Sequence, residues 1–281
     1  MGAVRSGRTR IQLGALCAAL ALVCVLTTAS ARAAEPTVPV PWMSPGVDPR
    51  GANDFSCRPP AAHPYPVVLV HGTFYDKTDS WNEMSPALAG AGYCVFAVDL
   101  PARATVAIEK SAAALADFVK RVLAATGARR VALVGHSQGG VVARYYARFL
   151  GGASRIAQII GLGAPDHGTA SPLAPATAPL NCPACSELEV GSPLFARLNA
   201  GRETLPGIGY TEIATSHDEV STPYYTAFLS GADVTNVLLQ ASCALDPVEH
   251  LGLPYDPIVL QWVENALASG DRADPSFRPS C

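Results

Sequence analysis

Short runs of branched and aromatic apolar residues punctuate the chain from residue 67 onward. Val67–Val70 (VVLV) is closed by His71-Gly72, and similar runs occupy Tyr93–Val98, Val131–Val134 and Ile156–Leu162, with weaker ones at Tyr210–Ala214 and Val234–Leu239. A continuous apolar run of strand length, bounded by turn residues, is the pattern of a strand buried on both faces. Stretches of helical period lie between these runs. Leu115, Phe118, Val119, Val122 and Leu123 recur at i, i+3, i+4, i+7 and i+8, as do Val142, Tyr145, Tyr146, Phe149 and Leu150. Near the end, Val259, Trp262, Val263, Ala266 and Leu267 repeat the spacing behind Asp256-Pro257, an N-cap followed by a first-turn proline. Each stripe is one apolar face laid on a sheet. The alternation predicts an α/β fold with a mostly parallel central sheet and helices on both faces. Residues 34–66 lack a sustained period and read as an N-terminal arm wrapped on the domain. Residues 168–206, rich in Pro, Ala, Ser and Gly, break the alternation and read as a cap insertion over one end of the sheet. With no internal repeat and no long linker, residues 34–281 are expected to form a single domain.

Composition sharpens this picture at the front of the chain. Of 281 residues, 49% are apolar and 15% charged, with a net charge of −3. Arg5, Arg8 and Arg10 precede an uncharged stretch from Ile11 to Ser30, and Ala31-Arg32-Ala33 offers small residues where a signal peptidase reads. The pattern predicts a secretory signal peptide over residues 1–33, cleaved after Ala33, and hence a secreted, extracellular product. A retained membrane anchor is the alternative, because the run approaches spanning length. Removal of the leader takes away four arginines and no acids, leaving 16 basic residues against 23 acidic. That balance carries no footprint for nucleic acid. Later apolar runs are strand-length, so no integral membrane segment is expected in the mature chain. Eight cysteines become six: Cys57, Cys94, Cys182, Cys185, Cys243 and Cys281. An even set in an exported chain reads as disulfides. Cys182-Pro-Ala-Cys185 has the spacing of half a zinc site or a redox pair, but no second pair follows at zinc spacing. No metal and no cofactor are expected.

The sharpest chemical signal is Gly135-His136-Ser137-Gln138-Gly139-Gly140, directly after the run Val131–Val134 and opening the next helical stripe. Small residues at 135 and 139 let the backbone turn sharply from strand to helix, which leaves Ser137 strained with its hydroxyl above the sheet edge. An ordinary glycine-rich strand–helix turn is the bland alternative. A serine hydroxyl near neutral pH needs a base, and the base needs an orienting acid. His250 follows the run Val234–Leu239 and precedes the last helix, where such a base belongs. The other histidines fit less well. His63 and His71 precede the serine, His136 points away from it, His167 leaves little room for an acid in between, and His217 adjoins the best acid candidate. That candidate is Asp218, in Ser216-His217-Asp218-Glu219-Val220 after Tyr210–Ala214. Asp166, Glu219, Asp246 and Glu249 are its rivals, the last two placed to shape the loop of His250. The oxyanion formed on attack needs two donors. The backbone N–H of Gln138 supplies one and that of Thr73, in His71-Gly72-Thr73-Phe74, the other, with Phe74 as near rival. The Thr73 hydroxyl offers a third bond.

With these residues placed, the chain resembles the small secreted lipases of the α/β-hydrolase superfamily, both the bacterial lipase class 2 group and the fungal lipase B type. The resemblance rests on VVLVHGT at 67–73, VALVGHSQGG at 131–140, GAPDHGT at 163–169, TSHDEV at 215–220 and VEHLG at 248–252. It implies an α/β-hydrolase fold, a triad of Ser137, Asp218 and His250, an oxyanion hole of the Thr73 and Gln138 N–H groups, and cofactor-free hydrolysis of lipid esters. It also implies a bridge between Cys57 and Cys94. For the others, Cys185–Cys243 with Cys182–Cys281 and Cys182–Cys185 with Cys243–Cys281 both stay open. Gly135 departs from the alanine or threonine these groups carry there, and the 168–206 cap matches least. The expected protein is a monomer acting on lipid or small ester substrates, with transient contact to a lipid interface through the cap. A cutinase-like polyester esterase, an acyltransferase on the same triad, and a non-catalytic binding protein are the alternatives; the last predicts a damaged triad, and all three positions are intact.

Overall fold

Alternation of apolar residues decides which face of the sheet each side chain feeds. In a computed structural model, residues 46–172 and 181–281 are described. The leader at 1–33, the arm residues 34–45 and the cap residues 173–180 lie outside the described residues. Strands β1 (Val67–Val70), β2 (Val95–Val98), β3 (Val131–His136), β4 (Ile156–Leu162), β5 (Gly209–Ala214) and β6 (Val234–Leu238) form one sheet. Its order is β2-β1-β3-β4-β5-β6, with every neighbouring pair parallel. All six expected strands are present. Tyr93 and Cys94 precede β2, and β3 runs on to His136, which delivers the chain directly into the Ser137 turn.

Helices α1 (Lys77–Trp81), α2 (Met84–Gly90), α3 (Ile108–Thr126) and α4 (Gln138–Phe149) occupy the first half. The second half holds α5 (Pro183–Glu187), α6 (Pro193–Leu198), α7 (Leu239–Ser242) and α8 (Pro257–Ser269). Val68, Val70, Phe96 and Leu133 point to one face, where they pack with Leu115, Val119 and Val122 of α3 and Val142 and Tyr146 of α4. Val67, Leu69, Ala132 and Val134 point to the other, against Trp81, Met84 and Leu88 and against Val259, Trp262 and Val263 of α8. Each large apolar side chain so buried contributes about 1.5–3 kcal/mol. Asp256 caps α8 by accepting from Ile258 and Val259 N–H, as the Asp-Pro pair predicts. No helix of the described residues is long and apolar enough to cross a membrane.

The β2 edge of the sheet is covered. The arm pairs Ala52 with Val95, and the Asn53 side chain hydrogen-bonds both the carbonyl and the N–H of Ala97, so the outer side of β2 is occupied. Cys57–Cys94 fastens the arm at that edge. The tail crosses one face of β5 and β6, where Ala273 accepts from the Thr235 hydroxyl and donates to that of Thr211, and Cys243–Cys281 pins its end. The remaining bridge is Cys182–Cys185, so the second of the two open pairings is the one formed. Cys182-Pro-Ala-Cys185 is therefore neither half of a zinc site nor a free dithiol here. Because all six strands run parallel, the loops that leave them converge at their carboxyl ends.

Candidate active site

The turn after β3 has the geometry its glycines call for. Ser137 sits at φ 53°, ψ −126°, a conformation L-residues rarely adopt, between the last strand residue and the first residue of α4. The turn closes only because its neighbours lack side chains. A Cβ on Gly139 would lie 2.1 Å from the Val70 carbonyl oxygen, and one on Gly135 would lie 2.4 Å from the Gly140 nitrogen. Ser137 is fixed by its own N–H, which donates to the Leu162 carbonyl at 2.8 Å. Its side chain is 8% exposed, at the bottom of the rim rather than on the surface.

Asp218 and His250 meet at the same rim. Asp218 Oδ2 lies 2.8 Å from His250 Nδ1, with both side chains almost wholly buried. The carboxylate's other oxygen accepts from Val220 and Ser221 N–H at 2.9 and 2.6 Å, which leaves Oδ2 aimed at the imidazole. A positive φ of 59° at Gly163 keeps the end of β4 clear of this pair, since a Cβ there would lie 3.1 Å from both partner atoms. With Nδ1 committed to the carboxylate, Nε2 is the free face of the ring. No hydrogen bond joins Ser137 Oγ to it among the described residues, and such contacts commonly tighten only when substrate is bound.

His136 supports His250 from behind. Its Nε2 lies 3.0 Å from the His250 carbonyl oxygen, and the two rings stack at 5.0 Å. Burial, helped by the His250 ring beside it, pushes the His136 imidazole down to about 3. A neutral ring with Nε2–H donating to that carbonyl follows. The rivals resolve onto structural tasks. Asp246 and Glu249 accept from Val248 and Leu251 N–H and shape the loop, as expected. His167 bridges Glu203 and the Thr226 carbonyl, His63 stacks on Tyr93, and His217 is exposed. Asp166, wholly buried, takes Arg144 Nη1 at 2.9 Å.

Facing the serine, the turn after β1 is held in an unusual way. The Phe74 N–H, the near rival as an oxyanion donor, is spent on the Arg103 carbonyl at 2.8 Å. The N–H groups of Thr73 and Gln138 have no acceptor among the described residues. The Thr73 hydroxyl bonds the Gln138 side-chain carbonyl, so the extra bond expected from it is already committed. Gln138 in turn donates from Nε2 to the Ala104 carbonyl at 2.9 Å. Ala102, Arg103 and Ala104 are consecutive left-handed residues with φ of 47°, 55° and 58°. That conformation costs a non-glycine residue roughly 1–2 kcal/mol.

A second buried group lies nearby and escaped the sequence reading. Glu212 on β5 is fully buried, and both its oxygens, like Asp166 Oδ2, lack a donor if the acids are ionised. Burial, reinforced by the Asp166 carboxylate beside it, pushes Glu212 well above the ordinary carboxyl range. A proton held between the two acids supplies the missing donor, and Arg144 balances the remaining charge. The alternation of β5 held the clue: a glutamate stood in a strand buried along its whole length.

A six-stranded parallel sheet with a strand–serine–helix turn and an Asp–His pair at its carboxyl rim defines the α/β-hydrolase fold, and residues 65–180 match the family described as the alpha/beta hydrolase fold. The chain has the α/β-hydrolase fold. Among curated proteins it is similar to a triacylglycerol lipase of Pseudarthrobacter phenanthrenivorans, 36% identical over 115 residues, covering 39% of this chain and 35% of that protein. A triacylglycerol lipase of Burkholderia plantarii is likewise 36% identical over 115 residues, covering 39% of this chain and 32% of its own length. The chain thus spans about a third of the length of the curated relatives it matches. Among solved structures, Aspergillus fumigatus lipase B superposes with a TM-score of 0.69 at 19% identity, covering 82% of this chain and 57% of that one. Bacillus licheniformis lipase BlEst2 in its propeptide form gives 0.59 at 18%, covering 84% and 55%. At those identities the likeness is one of fold.

Proposed function

We propose that this protein is a secreted serine carboxylester hydrolase of the lipase type. The observation that carries the reading is the Asp218–His250 pair, 2.8 Å apart and buried, at the sheet rim that also carries the strained Ser137 turn. The 36% identity to triacylglycerol lipases over 115 residues supports lipid esters as the substrate class. In this reading His250 Nε2 takes the proton of Ser137 Oγ as the oxygen attacks the ester carbonyl. The Thr73 and Gln138 N–H groups receive the oxyanion, at the amino end of α4 where unpaired N–H groups favour negative charge. His250 then protonates the leaving alcohol, and the acyl group stays on Ser137. Water, deprotonated by His250, attacks that acyl-enzyme, and collapse of the second tetrahedral species returns the proton to Ser137 and frees the fatty acid. Asp218 fixes the imidazole tautomer and balances its charge while it is protonated.

Residues 1–33 act as the signal peptide and 34–281 as one domain, with 168–206 as the cap. Three disulfides support an oxidising destination. The enzyme works as a monomer and meets lipid transiently through the cap, whose Val190 is more than half exposed. Hydrolysis of p-nitrophenyl esters of graded chain length, below and above their solubility, tests the reading. Ser137→Ala is expected to abolish it, and wild-type rates in that variant overturn it. Addition of an acceptor alcohol separates hydrolase from transferase, with free acid expected to dominate.

A further inference from the structure

The oxyanion pocket of the proposed reaction is not held by its own strand ends. Its two N–H groups come from residues 65 positions apart in the chain, and a closed ring of hydrogen bonds joins them. The ring runs from the Thr73 hydroxyl to the Gln138 side-chain carbonyl, then from Gln138 Nε2 to the Ala104 carbonyl. It steps along the chain to Arg103, whose carbonyl accepts the Phe74 N–H, and Phe74 adjoins Thr73. Every member fixes another. The weak link is the left-handed stretch 102–104, which three non-glycine residues do not adopt without restraint.

The Arg103 side chain supplies that restraint. Its Nε donates to the Phe74 carbonyl at 2.6 Å, so Phe74 is held through both its N–H and its C=O. Nη1 lies 3.2 Å from Asp76 Oδ2, and Nη2 lies 2.9 Å from Asp79 Oδ2. Asp76 is itself locked, because its other oxygen caps α1 through Thr78 and Asp79 N–H at 2.9 Å each. One planar guanidinium therefore ties the left-handed stretch to the turn after β1 and to the start of α1. A lysine ammonium keeps the charge but lacks the planar fork that meets all three partners together.

We propose that Arg103 is a positioning residue for the oxyanion pocket: it holds residues 102–104 left-handed and thereby sets the separation of the Thr73 and Gln138 N–H groups. This inference rests on the hydrolase reading above. Arg103 touches no reacting atom, and its effect reaches the substrate only through the placement of two donors. Misplacement of such donors by a fraction of an ångström to an ångström costs about tenfold to a hundredfold in rate.

The test compares Arg103→Lys, Arg103→Ala and Ser137→Ala on a soluble p-nitrophenyl ester, with inhibition by an arylboronic acid, whose tetrahedral adduct places an oxygen in the pocket. For Arg103→Lys the expected result is a fall in kcat of about tenfold to a hundredfold, KM within about twofold, and boronate affinity weakened in step with kcat. In Arg103→Ala, added methylguanidinium is expected to restore part of kcat; in Arg103→Lys, where the space is filled, it is not. If Arg103→Ala fails to fold, the lysine variant decides. Unchanged kcat and boronate affinity in Arg103→Lys overturn the proposal, as does a loss of kcat that leaves boronate affinity intact. Full activity in Ser137→Ala overturns the hydrolase reading instead, and is told apart because it leaves the Arg103 results without a serine adduct to report on.

Discussion

The two sides of Ser137 are built on different principles. On the acid–base side, each loop organises itself within a few residues: Asp218 accepts from Val220 and Ser221, Asp246 from Val248, and Glu249 from Leu251. These short acceptor-to-N–H turns are written in the local sequence. On the oxyanion side, the bonds that join the parts are long-range, from Arg103 to Phe74, Asp76 and Asp79, and from Gln138 to Ala104 and Thr73. A self-organised loop and a cross-braced one tolerate change differently. Substitution in the first removes a chemical group, whereas substitution in the second shifts groups that are still present.

Asp218→Asn removes a chemical role and should lower kcat by about 10⁴ while leaving the fold intact, as circular dichroism and kinetics together will show. Gly139→Ala attacks the other side. A methyl group 2.1 Å from the Val70 carbonyl must push the end of β1, and with it Thr73, away from Gln138. A loss of about a hundredfold in kcat is expected, and wild-type kcat in a folded Gly139→Ala protein would contradict the tight approach of β1 to α4.

Beneath both sides lies the buried pair of Glu212 and Asp166, faced by Arg144 from α4, by His167 from the same loop and by Tyr210 on the same strand. Glu212 holds its proton more tightly folded than unfolded. Its favourable contribution is therefore complete below the ordinary glutamate value and declines as the pH rises from there through the folded value. Glu212→Gln should flatten the decline in melting temperature on the alkaline side. The opposite sign belongs to His136, whose folded value near 3 lies below its ordinary value. The stability it confers is present above about pH 6.5 and is lost as the pH falls toward 3, at about 1.4 kcal/mol per unit. His136→Asn should reduce that acid slope, as measured by denaturant unfolding from pH 7 to 4.

The smallest contrast concerns the bridges. Cys57–Cys94 and Cys243–Cys281 close loops of 37 and 38 residues, whereas Cys182–Cys185 closes three. Chain entropy assigns about 4 kcal/mol to each long bridge and about 2 kcal/mol to the short one. Paired Cys→Ser variants should lose stability in that order, and equal losses would argue against a chain-entropy origin.

How much of this was legible follows from the same contrast. The six strands and the three long helices show in the sequence because burial on two faces or one imposes its period locally. Ser137, Asp218 and His250 stand out as candidates because each follows a strand in the order this fold would use. Of the two disulfide pairings left open by the sequence, the choice depends on where the tail ends relative to α7, which no local signal encodes. The Gln138 side chain, Arg103 and the Glu212–Asp166–Arg144 group were invisible for a related reason. Their hydrogen-bonded partners lie tens of residues away, as with Arg144 and Asp166 at 22, Arg103 and Asp79 at 24 and Gln138 and Thr73 at 65. Arg144 and Glu212 left only a faint trace, a charge placed within an otherwise buried stripe and a buried strand.

In the proposed reaction Ser137 carries the acyl group. An alkyl p-nitrophenyl phosphonate, which traps an activated serine as a covalent tetrahedral adduct, tests it most directly when followed by peptide mass spectrometry. One equivalent of label is expected on the peptide containing Ser137, with release of one equivalent of p-nitrophenol and complete loss of esterase activity, and no labelling of Ser137→Ala or of protein whose His250 is replaced by alanine. Label on a different residue, or esterase activity that survives full modification of Ser137, would contradict it.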